Sequence, residues 1–219
     1  MALALLAVPS FATGEGSTAP RVVNLDGDPA PEQVIPQEVC TSITSSVAPA
    51  ACTPDQYPQR RIVIEDTCNG APRAVVVSTA QDIVNRLLIA NLDGLTPRPE
   101  IYFDLRSGAS GRVGDTRIIR WDDPTTPGTC ERVRTLFRYP SRKTRGKVPR
   151  GAKYHDNYGV RVKEFSKRYP GKEVRLTETY LDRNDATCCP SYERTSYFGY
   201  SGGRDAYERY STRVKRLKK

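Results

Sequence analysis

Two short loops space side-chain oxygens in the way that a hard cation requires. Oxygen ligands at alternating positions of a tight loop converge on a sphere of roughly 2.3–2.6 Å radius, which is the distance that calcium prefers. The sequence therefore predicts a calcium site in the first loop. Its five ligands would be Asn24, Asp26, Asp28, the main-chain carbonyl of Ala30, and Glu32.

The second loop repeats the beginning of the first, 67 residues later. Asn91-Leu92-Asp93-Gly94 copies Asn24-Leu25-Asp26-Gly27, but Leu95 replaces the third acid and one additional residue precedes Glu100. We expect this loop to keep the turn, with a weaker ligand set at Asn91, Asp93 and Glu100. Without an ion, either loop would be an Asx-rich turn between strands.

Short apolar segments on both sides must position each loop. Arg21-Val22-Val23 precedes the first loop and Gln33-Val34-Ile35-Pro36 follows it, while Leu87-Leu88-Ile89-Ala90 and Glu100-Ile101-Tyr102-Phe103 flank the second. These segments are typical of strands. The sequence therefore predicts the same unit twice, which is a strand, an acidic loop and a strand.

This unit resembles the calcium-binding repeats of the FG-GAP/VCBS type, which are blades of integrin-like β-propellers. The resemblance rests on positions 24, 26, 28 and 32, which match the acidic positions of the family's loop. It implies a β-sheet blade around each loop and calcium as a cofactor of the first.

The remaining segments predict a mainly β protein. Val, Ile, Thr and Tyr are common, and alternating apolar residues favour strands with one exposed face. Asn69-Gly70 predicts a tight hairpin. Residues 78–90 fit either a strand or a short helix, since Thr79 to Asp82 forms a capping box. We predict antiparallel sheets, as a sandwich or an incomplete propeller-like array, with few short helices. Strands are predicted at 61–66, 73–77, 116–121, 133–139, 158–165, 173–181, 192–200 and 206–214.

The cysteines and the N-terminus indicate export. An even number of cysteines without a CxxC pair favours disulfides in an oxidising compartment. Residues 1–20 are either a signal peptide or a disordered apolar leader. We expect an extracellular or cell-envelope protein with no transmembrane segment in the mature chain. The disulfide pairings that we favour are Cys130 with Cys188 or Cys189, and a pair within the group of Cys40, Cys52 and Cys68.

Charge divides the chain into an acidic half, residues 21–129, and a basic half, residues 130–219, predicted as an antiparallel meander. Residues 1–129 have 10 Arg, no Lys and 15 acidic residues, whereas residues 130–219 have 24 basic and 10 acidic residues. A basic loop flanked by tyrosines suits anionic envelope polymers or lipid head groups, and nucleic acid as an alternative. The candidate anion-binding residues are Arg142, Lys143, Arg145, Lys147, Arg150 and Lys153.

A second resemblance covers about residues 158–200. Asp185-Ala186-Thr187-Cys188-Cys189-Pro190-Ser191 lies between two predicted strands and is similar to the C-terminal segment of secreted actinobacterial proteins, including the LppP/LprE lipoprotein family. The chain has no lipidation cysteine near its start. The resemblance implies an exported protein but not a lipid anchor.

The sequence gives no catalytic motif. His155 is the only histidine and has Asp156 beside it, but adjacent residues of an extended segment point apart. We predict a non-enzymatic binding or structural protein of the cell envelope. The two alternatives are a polyanion-binding or nucleic-acid-binding protein that uses the basic loop, and an envelope hydrolase.

Overall fold

In the computed structural model, most of the described residues belong to β-strands. The described residues are 19–28, 30–41, 46–47, 57–80, 82–107, 114–122, 129–141, 152–163, 171–186 and 189–217. Within these ranges the elements are strands, and no helix occurs. The prediction of a mainly β, antiparallel protein is therefore confirmed. No helix in these ranges is long and apolar enough to cross a membrane.

The strands form three antiparallel sheets in which the order in space largely follows the order in the chain. Sheet A has the order β1-β2-β4-β5, with β3 paired to β2, and contains β1 (Arg21–Val23), β2 (Glu32–Thr41), β3 (Ser46–Val47), β4 (Tyr57–Cys68) and β5 (Ala71–Ala80). Sheet B contains β6 (Asp82–Ala90), β7 (Glu100–Ser107), β8 (Asp115–Asp122) and β9 (Arg132–Tyr139). Sheet C contains β10 (Lys153–Lys163), β11 (Glu173–Leu181), β12 (Tyr192–Ser201) and β13 (Ala206–Arg216). The boundary predicted at residue 130 falls between β8 and β9, inside sheet B.

Sheet B lies between the other two sheets and is buried on both faces. On β7, Ile101 and Phe103 enter the core shared with sheet A, whereas Tyr102 enters the core shared with sheet C. Adjacent residues of a strand point to opposite faces, so one strand serves both cores. This explains why Ile101, Tyr102 and Phe103 form a continuous apolar run and lack the alternation of a half-exposed strand.

The segment with two possible structures is a strand. β5 continues to Ala80 and β6 begins at Asp82, so the helix alternative for 78–90 is wrong. Leu87 and Ile89 pack in the core with sheet A, while Leu88 packs against the core with sheet C. A helix with one apolar face would place its residues in only one of these cores. As a strand, β6 pairs with β7 and serves both cores.

One disulfide links two sheets. Cys68 at the end of β4 bonds to Cys130, two residues before β9, with their Cα atoms 5.6 Å apart. The predicted pairing of Cys130 with Cys188 or Cys189 is therefore wrong, and Cys68 does not pair with Cys40 or Cys52. The stacking of sheets A and B brings Cys68 and Cys130 together. Cys189 is also disulfide-bonded, and no described cysteine is free. The side chains of Cys40, Cys52 and Cys188 lie outside the described residues.

Candidate metal site

The two acidic loops share the hydrogen bonds that form the start of their turns. Asn24 Oδ1 accepts from Gly27 N–H at 2.5 Å, and Asn91 Oδ1 accepts from Gly94 N–H at 2.7 Å. The two glycines have positive φ angles of 91° and 70°. Left-handed backbone of this kind is favourable for glycine and costly for other residues, which accounts for glycine at this position in both loops.

Each loop inserts its leucine into a core and fixes that leucine with a glutamate. Leu25 N–H donates to Glu32 Oε2 at 2.5 Å, and Leu92 N–H donates to Glu100 Oε2 at 2.6 Å. Leu25 lies in the core between sheets A and B, and Leu92 in the core between sheets B and C. The two loops are therefore equivalent positions of a structural repeat.

In the first loop, two of the predicted ligands meet a third carboxylate from β4. One oxygen from each of Asp26, Glu32 and Asp66 lies within 4.8 Å of the others. Asp26 is 5% exposed and Glu32 is 1% exposed. We call Asp26, Glu32 and Asp66 the carboxylate cluster.

The other predicted ligands hold the turn together. Asn24 Nδ2 donates to the carbonyl of Asp28, and the side chain of Asp28 accepts from Ala30 N–H at 2.7 Å. Asn24, Asp28 and Ala30 are exposed, and they are not members of the carboxylate cluster. Asp26 Oδ1 accepts from Asp28 N–H at 2.9 Å, which orients its carboxylate.

Glu32 has one carboxylate oxygen that is bound and one that is not. Its Oε2 accepts from Leu25, but its buried Oε1 has no hydrogen-bond partner among the described residues. Burial raises the pKa of Glu32 to about 7, and the charges of Asp26 and Asp66 add to that effect against the hydrogen bond from Leu25. Burial likewise raises the pKa of Asp26. A buried, unpaired carboxylate oxygen is costly unless a proton or a cation neutralises it.

Two arginines moderate the charge of the cluster. Arg73 Nη2 lies 2.7 Å from Asp66 and also pairs with Glu131 at 3.0 Å. The charge of Arg98, which lies beside Gly27, lowers the pKa of Asp26 against the larger effect of burial. The cluster thus keeps an excess of negative charge around Glu32, and carboxylate oxygens in this arrangement suit a hard cation such as calcium.

The second loop places an arginine where the first has Asp66. Sheet A pairs Gln33 with Glu65, so the next position toward the loop sets Glu32 opposite Asp66. Sheet B pairs Ile101 with Ile119, so the same step sets Glu100 opposite Arg120. On the next strand of each sheet, the residue opposite is an arginine. Arg73 of β5 pairs with Asp66, and Arg134 of β9 pairs with Arg120.

Arg120 binds both acids of the second loop. Its Nη2 lies 2.5 Å from Asp93 and its Nε lies 3.2 Å from Glu100. Its Nη1 reaches Asp205 at 2.8 Å, and Tyr200 Oη lies 3.1 Å from its Nη2. Burial alone would lower the pKa of Arg120, but its bonds to Tyr200 and Asp205 outweigh burial and raise that pKa. Asn91, the third predicted ligand, is exposed and holds the turn through Gly94 and Thr96.

Sequence reasoning missed Asp66 and Arg120. Each lies on the strand that pairs with the strand after the loop, so its place opposite the glutamate depends on a register that spacing does not reveal. The one available signal was the Asn69-Gly70 turn, which fixes Asp66 near the end of its hairpin.

The predicted anion-binding loop falls largely outside the described residues. Arg142, Lys143, Arg145, Lys147 and Arg150 belong to the range 142–151, which the structure does not describe. Lys153 begins β10 and is exposed. His155 also lies in β10, and its side chain is outside the described set.

Comparison of the chain with family models, with curated proteins and with solved structures found no match. The function must therefore be argued from the chain's own residues.

Proposed function

We propose that the protein is an exported binding or structural protein of the cell envelope, in which calcium stabilises the first loop. The observation that carries this proposal is the buried Glu32 Oε1 without a hydrogen-bond partner, inside a cluster with Asp26 and Asp66. Arg73 binds Asp66 and Glu131, so a divalent ion from solution is the simplest partner for the charge of Glu32.

The disulfide and the charge distribution support the envelope part of the proposal. Cys68–Cys130 is a bond that persists in oxidising compartments. The chain from residue 130 onward has a formal charge of +14. Such a surface attracts anionic envelope polymers or lipid head groups, and the attraction weakens with salt. No residue is assigned a catalytic role in this proposal.

Calcium titration of the disulfide-intact protein tests the metal site. We expect one calcium ion per chain by isothermal calorimetry and a rise in the melting temperature with calcium concentration, because a ligand that binds only the folded state stabilises it. Magnesium should be the weaker ligand, since it demands a stricter octahedral shell.

Two variants make this test specific. Glu32→Gln should abolish the calcium-dependent rise, because it removes the charge of the unpaired oxygen. Glu65→Gln makes the same change at an exposed position on the opposite face of β4 and should leave the response intact. Equal responses of the two variants, or no response of the natural protein, would refute the calcium site.

A further inference from the structure

The two equivalent loops differ at the position opposite the loop glutamate, and that difference reverses the charge. In the first loop, Glu32 faces Asp66, and in the second, Glu100 faces Arg120. The loops share their glycine turns and the hydrogen bond that the leucine N–H donates to the glutamate, so Asp66 and Arg120 give opposite charges to equivalent positions.

We propose that this position decides which cation each loop uses. Arg120 is the internal cation of the second loop, and Asp66 makes the first loop dependent on a divalent cation from solution. The proposal rests on the calcium site proposed above and adds what determines it. It also assigns Asp66, which lies on β4 and not in the loop, as a metal ligand.

The contacts of Arg120 show how a cation opposite the loop glutamate binds the buried acids of the loop. Its guanidinium touches Asp93 and Glu100 simultaneously, and these are the counterparts of Asp26 and Glu32. Asp93 and Glu100 are both fully buried. Two buried carboxylates are thus compatible with the fold when a positive charge lies between them.

The first loop has the same two carboxylates and a third in place of the positive charge. The unpaired Oε1 of Glu32 is the atom expected to lose its partner when an arginine is replaced by an acid. Arg73 does not take over, since its bonds go to Asp66 and Glu131. An external cation would occupy the space that the Arg120 guanidinium fills in the second loop.

The residues around Asp66 include an acid that could bind an arginine at position 66. Arg134 and Arg120 share Asp205, at 2.8 Å each. Arg73, the counterpart of Arg134, already pairs with Glu131, which stands immediately before β9 as Asp205 stands before β13. An arginine at position 66 would therefore find an acid able to bridge it to Arg73.

Exchange of the two residues tests the proposal. Asp66→Arg should lose detectable binding at millimolar calcium and should melt at a higher temperature than the natural protein without calcium. Asp66→Asn is the matched control, because it removes the carboxylate without supplying a cation. It should weaken calcium binding but gain less stability than Asp66→Arg.

The reciprocal variant should create a second site. Arg120→Asp should melt at a lower temperature without calcium, recover in millimolar calcium, and bind two calcium ions per chain instead of one. Arg120→Met, which removes the cation without adding a carboxylate, should gain no second ion. Failure of Arg120→Asp to fold in millimolar calcium, or binding of a single ion, would contradict the proposal.

The outcomes separate this inference from the calcium site itself. If the natural protein binds no calcium, the calcium site is wrong, and the melting temperatures of Asp66→Arg and Asp66→Asn still decide whether an internal cation suits the first loop. If the natural protein binds calcium and Asp66→Arg binds it equally well, the calcium site stands and the role of position 66 is refuted.

Discussion

Glu32 and Glu100 perform the same structural task in different electrostatic surroundings. Each accepts a hydrogen bond from a buried leucine N–H, and each is at least 99% buried. Burial raises the pKa of both, but Glu100 also has Arg120, whose charge opposes the rise. Glu32 has Asp66 at the position where Glu100 has Arg120, so we expect the ionisation of Glu32 to make the calcium-free protein sensitive to pH.

We expect calcium-free protein to lose stability as the pH rises from about 4.5 to about 7. The pKa of Glu32 is raised from 4.5 to about 7 on folding. A carboxyl whose pKa is higher in the folded state contributes stability below its unfolded pKa and loses that contribution as the pH passes the folded pKa. The loss is about 3 kcal/mol at most. Urea unfolding at several pH values in calcium-free buffer measures it.

The variants at positions 32 and 65 identify the group responsible. Glu32→Gln should flatten the pH dependence over this range, while Glu65→Gln should retain it. Calcium should reduce the loss in the natural protein, because the ion favours ionised carboxylates. The same slope in the natural protein and in Glu32→Gln would show that Glu32 does not titrate as expected.

At the scale of elements, Gly171 and Lys172, which immediately precede β11, pack directly on the second loop. Lys172 N–H donates to the carbonyl of Leu92 at 2.7 Å, and Tyr207 Oη donates to the same oxygen at 2.8 Å. Gly171 has a φ of +79°, and a Cβ there would lie 2.3 Å from the main chain of Asp93. The backbones approach so closely that only glycine fits, which fixes the second loop from the side of sheet C.

Gly171→Ala should therefore be much more destabilising than Gly70→Ala. Gly70 has a similar φ of +76°, but a Cβ there meets nothing within 4 Å. The Gly70 variant should lose only about 1–2 kcal/mol of unfolding free energy for left-handed backbone. The Gly171 variant should lose at least about 2 kcal/mol more, because main-chain atoms must move. Similar midpoints of urea unfolding for the two variants would disprove the close packing.

The sequence predicted most elements but not the residues that complete the site. The Asn69-Gly70 hairpin, the two acidic loops and the last three strands of sheet C follow from local signals, and the structure has them close to the expected bounds, whereas β10 begins five residues before the predicted start at 158. Strand register decides which residues lie opposite one another within a sheet, and sheet stacking decides which residues meet between sheets. Both involve residues far apart in the chain. For this reason Asp66, Arg120 and the Cys68–Cys130 bond could not be predicted from spacing.

At the scale of the whole molecule, the two junctions between sheets contain equivalent ion pairs. In each, the third residue of the last strand of one sheet is an arginine, and it pairs with the acid that immediately precedes the last strand of the next sheet. Arg73 pairs with Glu131 between sheets A and B, and Arg134 pairs with Asp205 between sheets B and C. The junction of sheets A and B adds the Cys68–Cys130 disulfide beside its ion pair.

Removal of that disulfide should weaken the attachment of sheet A more than that of sheet C. The bond joins residues 62 positions apart, and a closed loop of this size corresponds to about 4 kcal/mol of unfolding free energy. The double variant Cys68→Ala, Cys130→Ala should show this loss in urea unfolding. Glu131→Gln, which removes the partly exposed ion pair with Arg73 at the same junction but keeps the bonds of Arg73 to Asp66, should lose about 1 kcal/mol or less.

Hydrogen exchange locates the effect within the molecule. In the double cysteine variant, amide protons of β4 and β5 should lose protection first, because these strands depend on the junction with sheet B. Amide protons of β11 and β12 should keep most of theirs, since the core between sheets B and C contains Phe198 and Tyr200 and does not involve the bond. Equal loss of protection in sheets A and C would instead show that the three sheets unfold as one cooperative unit.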